Sequence, residues 1–140
     1  MNKDIYIYSA GSLTYLNKID KFHEALEWRE KLDNWALDNH VKIFNPAKNF
    51  QNEICHGYSH KLIVDQNDFF LNKSTIMVVQ LDYLDFSPGT IYEMAMFRAM
   101  KKPIIAFGES EHWSPHTNSC ISQYCKNIEE VIEVLNNMFL

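Results

Sequence analysis

"TIMVVQLDYLDFSPGTIYEMAMFRAMKKPIIAFG", residues 75–108, decides how this chain folds. "TIMVVQL" is a near-continuous apolar run of the kind a parallel sheet buries on both faces. The loop "DYLDFSPG" leads into an apolar helix carrying Ile91, Met94, Ala95, Met96, Phe97, Ala99 and Met100. A Lys-Lys-Pro stop ends it, and a second short apolar strand, "PIIAFG", follows. A strand, a crossover helix and a strand make a parallel βαβ unit. Near the start of its helix, otherwise so apolar, stands one carboxylate, Glu93.

The same alternation extends outward. "DIYIYSAG" is a short strand of β-branched and aromatic residues ending at Gly11. Ile19, Phe22, Leu26, Trp28, Leu32, Trp35 and Leu37 recur at mostly helical intervals and predict one long helix over roughly 17–39. "VKIFNP" is a second strand, stopped by Asn45-Pro46, and 47–58 reads as a loop. A helix from about Ser59 to Asn72 is expected to bury Leu62, Ile63, Phe69 and Phe70. After a loop at 109–120, "ISQYC" reads as an edge strand and "NIEEVIEVLNNMF" as a closing helix. The expected fold is α/β: one domain over 1–140, a doubly wound, flavodoxin-like parallel sheet of four to five strands with helices on both faces. Ligands of such sheets bind beyond the carboxyl ends of the strands, which here means the loops at 9–16, 45–58, 82–90 and 108–119.

The 140 residues suffice for one sizeable core, and 46% hydrophobic with 14% aromatic residues describes a packed globular chain. A net charge of −5 argues against a nucleic-acid polymer as partner. No apolar run is long enough to span a membrane, and "MNKDIYIYSAG" lacks the apolar core of a secretory signal, so a cytoplasmic location is expected. Cys55, Cys120 and Cys125 form no CxxC and read as free thiols. The pairs His56/His60 and His112/His116 lack a convergent third ligand, so no metal site is expected.

Glu93 admits two readings. A carboxylate near a helix N-terminus gains a fraction of a kcal/mol from the macrodipole. A carboxylate at the mouth of an α/β crevice can instead attack a sugar carbon, as in retaining glycoside chemistry. Its surroundings favour the second. Gly89 permits a close backbone approach or a positive φ, Ser87 and Thr90 add hydroxyls, and Thr90 can cap the helix. Asp68, towards the end of its helix, opposes that helix's dipole and is poorly placed for stability alone. Asp82 and Asp85 lie on the loop before Gly89, and Tyr8 ends the first strand. Phe50, Tyr58 and Trp113 are candidate walls for an aromatic ligand.

These residues resemble the nucleoside 2-deoxyribosyltransferases and the related 2′-deoxynucleoside 5′-phosphate N-hydrolases. The resemblance runs over nearly the whole chain and rests on "YSAGS", Asp68, "GTIYEMAMFRAMKKPI" and, more faintly, "TNSC". It implies that Glu93 attacks the anomeric carbon of a deoxyribosyl group, that Asp68 sits beside the sugar and leaving base, and that Tyr8 orients the glutamate. It further implies Gly11, Ser87, Gly89, Asp85 and Asn118 as substrate contacts and a homo-oligomer, dimer or larger, with shared sites. It calls for no metal or organic cofactor, and its partners are deoxynucleosides or deoxynucleotides and free nucleobases. One position departs from the transferases, which carry an aspartate six residues before the glutamate where this chain has Ser87. The phosphate-accepting hydrolases have a serine there, and a hydroxyl can donate to a 5′-phosphate that an aspartate would repel. Asp85 offers a replacement carboxylate. Against a phosphate pocket, Arg98 and Lys101 lie further along the helix and Arg29 on a long solvated one. Asn118 matches the transferases, which reach into the adjacent site with an asparagine.

A transferase reading results, with hydrolysis of 5′-monophosphates second and a non-catalytic nucleotide-binding module third. A phosphate-accepting receiver domain would need an acidic pair after the first strand, where "SAGSLTY" has none, and a flavin-type phosphate loop is only faintly matched there.

Overall fold

The computed structural model describes residues 4–51, 57–109 and 114–140, without the side chains of Phe50 and Gln51. Cys55, His56, His112 and Trp113, and the Phe50 side chain, lie outside the described residues. The elements run β1 (Tyr6–Ala10), α1 (Thr14–Lys18), α2 (His23–Asp38), β2 (Lys42–Phe44), α3 (Lys48–Gln51), α4 (His60–Lys73) and β3 (Ile76–Gln80). A 3-10 turn (Leu84–Phe86) then leads to α5 (Pro88–Ala99), β4 (Ile104–Phe107), α6 (Pro115–Asn118), β5 (Gln123–Cys125) and α7 (Ile128–Phe139). Every strand pair is parallel, in the order β2-β1-β3-β4-β5. The order reverses between β1 and β3, so the loops leaving those two strands diverge and open a crevice.

Period-2 geometry divides the buried strands between two cores. Ile7, Ile76, Val78, Ile105 and Phe107 face one layer with Trp28, Leu32 and Trp35 of α2 and Val131 and Leu135 of α7. Tyr8, Met77, Val79, Ile104 and Ala106 face the other with Leu71 of α4 and Met94 and Phe97 of α5. β4 and all of β3 but its last residue are thus apolar, which is why their sequences show no alternation. Tyr8 and Ser9 of β1 are polar-tipped and fully buried, Tyr8 in the α4/α5 layer.

Several expectations need correction, beginning with the loops expected over 47–58 and 109–120, which carry the short helices α3 and α6. The helix expected over 17–39 is two helices: Asp20 takes a left-handed φ of 61°, and the Lys21 amide donates back to the Leu16 carbonyl at 2.9 Å, closing α1 before α2 begins. A short polar residue visits that region at modest cost. On α4, Leu62 and Phe69 are exposed, Ile63 and Phe70 partly covered, and Leu71 is the helix's buried anchor. At the start of α5, Ser87 occupies the N-cap and Pro88 the first turn, so Thr90 lies buried inside the helix instead of capping it. Asn127 and Ser59 do cap, accepting from Glu130 N–H at 2.9 Å and Leu62 N–H at 3.1 Å.

The sidedness of α4 is testable by urea denaturation. Leu71→Ala should cost about 2–5 kcal/mol, as deletion of a fully enclosed leucine does. Leu62→Ala should stay within about 0.5 kcal/mol, the range of surface changes.

Candidate active site

A cleft of about 670 Å³ opens at the β1/β3 switch point. Gly11, Leu13, Thr14, Tyr15 and Lys18 line it from the β1 side, Ile63, Val64, Asn67 and Asp68 from α4, and residues 86–90 with Tyr92 and Glu93 from the turn and α5. Of the residues singled out in the sequence, Gly11, Asp68, Ser87, Gly89 and Glu93 therefore share one cavity. Tyr8 reaches it from below, its phenol donating to Glu93 Oε2.

Glu93 lies in the second turn of α5, beyond the reach of the first-turn amides, so dipole stabilisation does not account for it. Burial is the largest influence on its carboxyl and pushes it up; the Tyr8 hydrogen bond and the Arg29 charge pull it down, and Asp68 pushes it up again. The balance leaves it at about 7, against an ordinary 4.5. Burial, then the charge and hydrogen bond of Glu93, hold the Tyr8 phenol far above its ordinary range, so it stays protonated and remains a donor. Asp68 is partly exposed and lies beside the Tyr92 hydroxyl, which donates to its oxygens at 3.3 and 3.4 Å.

The surrounding loops are built for close fit. At Gly11 the backbone runs at φ 155°, and an added Cβ would stand 3.3 Å from Gln80 Cβ and 3.4 Å from both Arg29 Nη2 and the Trp28 ring. Gly89 is helical, not left-handed, and no atom lies within 4 Å of where its Cβ would be, which leaves that space to a ligand. The Ser87 hydroxyl donates to the Tyr83 carbonyl at 2.9 Å. Tyr83 itself adopts a left-handed φ of 61°, an uncommon conformation for a bulky residue and one concentrated at functional sites.

Other expected contacts fall elsewhere. Asp85 is exposed on the 3-10 turn and Asn118 exposed on α6; neither lines this chain's cleft. Asp82 accepts from the Glu109 amide at 3.0 Å and packs against Gly108, bracing the end of β4. Tyr58 is exposed and outside the cleft. Its aromatic wall is Tyr15, stacked on Phe86 with ring centroids 4.5 Å apart and on Tyr83 at 5.7 Å. Lys18 supplies a cation to the cleft. Arg29, expected in solvent, is fully buried. Its position gave a usable signal: Ala25, Trp28/Arg29, Leu32 and Trp35/Ala36 are one helical stripe, and the arginine stands within it. Among the described residues no three His, Cys, Asp or Glu side chains converge in a metal-binding group, and no helix is long and apolar enough to cross a membrane.

The raised carboxyl makes a signed prediction. Folding favours protonated Glu93, so its stabilising contribution is present below about 4.5 and is lost as pH rises through about 7. Urea titrations at a series of pH values should find Glu93→Gln and wild type equally stable near pH 4. By pH 8 the variant should be ahead by roughly 3 kcal/mol. A difference that does not change with pH would contradict this.

No protein-family model matches the chain, and no curated protein matches its sequence. Solved structures do match. A conserved protein from Enterococcus faecalis V583 superposes with a TM-score of 0.77 at 16% identity, over 95% of this chain and 98% of that one. A 2-deoxyribosyltransferase from the psychrotolerant bacterium Bacillus psychrosaccharolyticus, characterised as a biocatalyst for nucleoside synthesis, superposes with a TM-score of 0.70 at 17% identity, over 91% and 90%. This chain therefore has the fold of the nucleoside 2-deoxyribosyltransferases.

Proposed function

We propose that the protein is an enzyme of the nucleoside 2-deoxyribosyltransferase family, its active site carried by a single domain over residues 1–140. It cleaves the N-glycosidic bond of 2′-deoxynucleosides and transfers the deoxyribosyl group to another base. The observation that carries this reading is the Glu93 carboxylate, open to the cleft, held by the Tyr8 phenol and set beside Asp68. A Glu93 oxygen bonds to C1′ as the C1′–N bond breaks; the bonding pair leaves with the base nitrogen, which takes up a proton. The ring nitrogen of the incoming base then attacks C1′, releases the carboxylate and gives up its own proton. Between these steps C1′ has oxocarbenium character, which a carboxylate at close range stabilises. A 2-deoxy sugar reaches that cation more readily, because no 2-hydroxyl withdraws electrons from it.

Each neighbour has a role in this scheme. The Tyr8 hydroxyl keeps one Glu93 oxygen occupied and leaves the other to react. Asp68, steadied by Tyr92, lies beside the sugar and leaving base. The Tyr15/Phe86 wall suits the flat face of a nucleobase. A homo-oligomer is part of the same reading: Leu62, Val64 and Phe69 of α4 and Ile91 of α5 are exposed apolar side chains that a second copy would cover.

One observation favours a second reading, hydrolysis of 5′-monophosphates. Lys18 lines the same cleft, as does Ser87 where the transferases carry an aspartate, whereas Asp85, the replacement carboxylate, does not.

A chromatographic assay separates them. Deoxynucleosides, or separately their 5′-monophosphates, are incubated with and without a second free base. The transferase reading expects a new nucleoside only when acceptor is present, a loss of at least about 1,000-fold in Glu93→Ala, and about 10²–10⁴-fold in Asp68→Asn. Its kcat/KM should rise with pH through about 7 as Glu93 ionises. Base released from monophosphates regardless of acceptor selects the hydrolase; Lys18→Ala should then raise KM for them about tenfold, the effect of losing one charged contact. No turnover of either set contradicts both.

A further inference from the structure

Arg29 is a buried ionisable group that the scheme above leaves unused. It lies on α2, across the sheet from the α4/α5 layer, yet its side chain reaches the carboxyl end of β1. Nη1 donates to the Ala25 carbonyl at 2.9 Å, and Nη2 reaches the Ser9 and Gly11 carbonyls, each at 3.4 Å. The guanidinium lies 4.5 Å from the centre of the Trp28 ring, and Nε has no partner. Gly11 lines the cleft that Glu93 faces, so this cation stands directly behind the cleft wall.

Burying a guanidinium costs several kcal/mol unless opposite charge or well-placed acceptors offset it. Neutral carbonyls and an aromatic face do so only in part. Burial lowers Arg29 to about 10, so it is charged at neutral pH; the largest opposing influence is Glu93, followed by Tyr8 and then Asp33. Asp33 already accepts from Asn45 at 3.0 Å. For packing alone, a leucine or methionine in the apolar stripe of α2 would avoid the desolvation. Tyr8 of β1 contacts Glu93, and the charges that act on it are those of Arg29 from α2 and Asp68 from α4, with Tyr92 on its own helix held to Asp68 and Lys18 of α1 lining the same cleft. Arg29 is the cation among those acting directly on the carboxylate.

We propose that Arg29 is the positioning residue for Glu93: from behind the cleft it ties down the Ser9–Gly11 backbone that follows Tyr8 and supplies a buried positive charge that favours the ionised carboxylate against its burial. This rests on Glu93 as the reacting group and adds what sustains its charge once a bound nucleoside displaces water from the cleft. Arg29 touches no substrate; it acts through the glutamate.

The test is a direct titration independent of turnover. The ¹³C shift of the Glu93 carboxyl, assigned by its loss in Glu93→Gln, is followed from pH 4 to 9 in wild type, R29Q and R29K. R29Q keeps a polar amide at this position and removes the charge, so its Glu93 midpoint should rise by about one unit, a tenfold gain in proton affinity. R29K should recover at least half of that shift. A midpoint in R29Q within about 0.2 of wild type, or an equal shift in R29K, overturns the proposal. Should R29Q not fold, the coupling is read from the other partner, because it is reciprocal. Arg29 should then deprotonate about one unit lower in Glu93→Gln than in wild type, and an unchanged value overturns the proposal equally. A shift found in a protein that turns over no nucleoside supports Arg29's role and contradicts only the functional reading.

Discussion

The contact between the Tyr8 phenol and the Glu93 carboxylate is the constraint on which the rest of this site depends. It joins β1 to α5, the helix that follows the neighbouring β3, across the point where strand order reverses. Parallel pairing of β1 with β3 sets Tyr8 opposite Met77, in the layer that α4 and α5 cover. A tyrosine buried there needs an acceptor for its hydroxyl, and a carboxylate buried there needs a donor. Each satisfies the other, at the cost of a carboxyl proton held to about 7. A carboxyl at about 7 can gain or lose its proton near neutral pH.

Much of this architecture was legible in the chain. The βαβ unit at 75–108 could be read because its two strands are short, wholly apolar and bounded by turn residues, and its helix ends at Lys-Lys-Pro. The candidate residues could be placed at one edge because strand ends and loops follow from that order alone. What escaped depended on side chains meeting across distance. The break at Asp20 required a left-handed residue that a periodic pattern cannot display. Leu62 and Phe69 carried the apolarity of buried residues while facing outward. Arg29 was assigned to solvent because charged residues are rarely enclosed, although its place between Trp28 and Leu32 is a core position. Lys18 and Tyr15 enter the cleft only because α1 ends where a longer helix was expected.

The same cleft carries a mixture of charges. Glu93 and Asp68 suit a cationic transition state, while Lys18 suits an anionic substituent on the sugar. A shared fold at 17% identity does not choose between them, since function resides in the site and not in the sheet beneath it. Both chemistries, however, require the same first step at Glu93.

It is tested most directly by intact-protein mass spectrometry after incubation with a 2′-deoxy-2′-fluoro nucleoside, whose fluorine destabilises the oxocarbenium-like transition state and slows release of the sugar. The account predicts a protein heavier by one fluorodeoxyribosyl group, with peptide mapping placing it on Glu93 and none formed by Glu93→Gln. An adduct on any other residue would contradict it. So would turnover of deoxynucleosides that persists in Glu93→Gln.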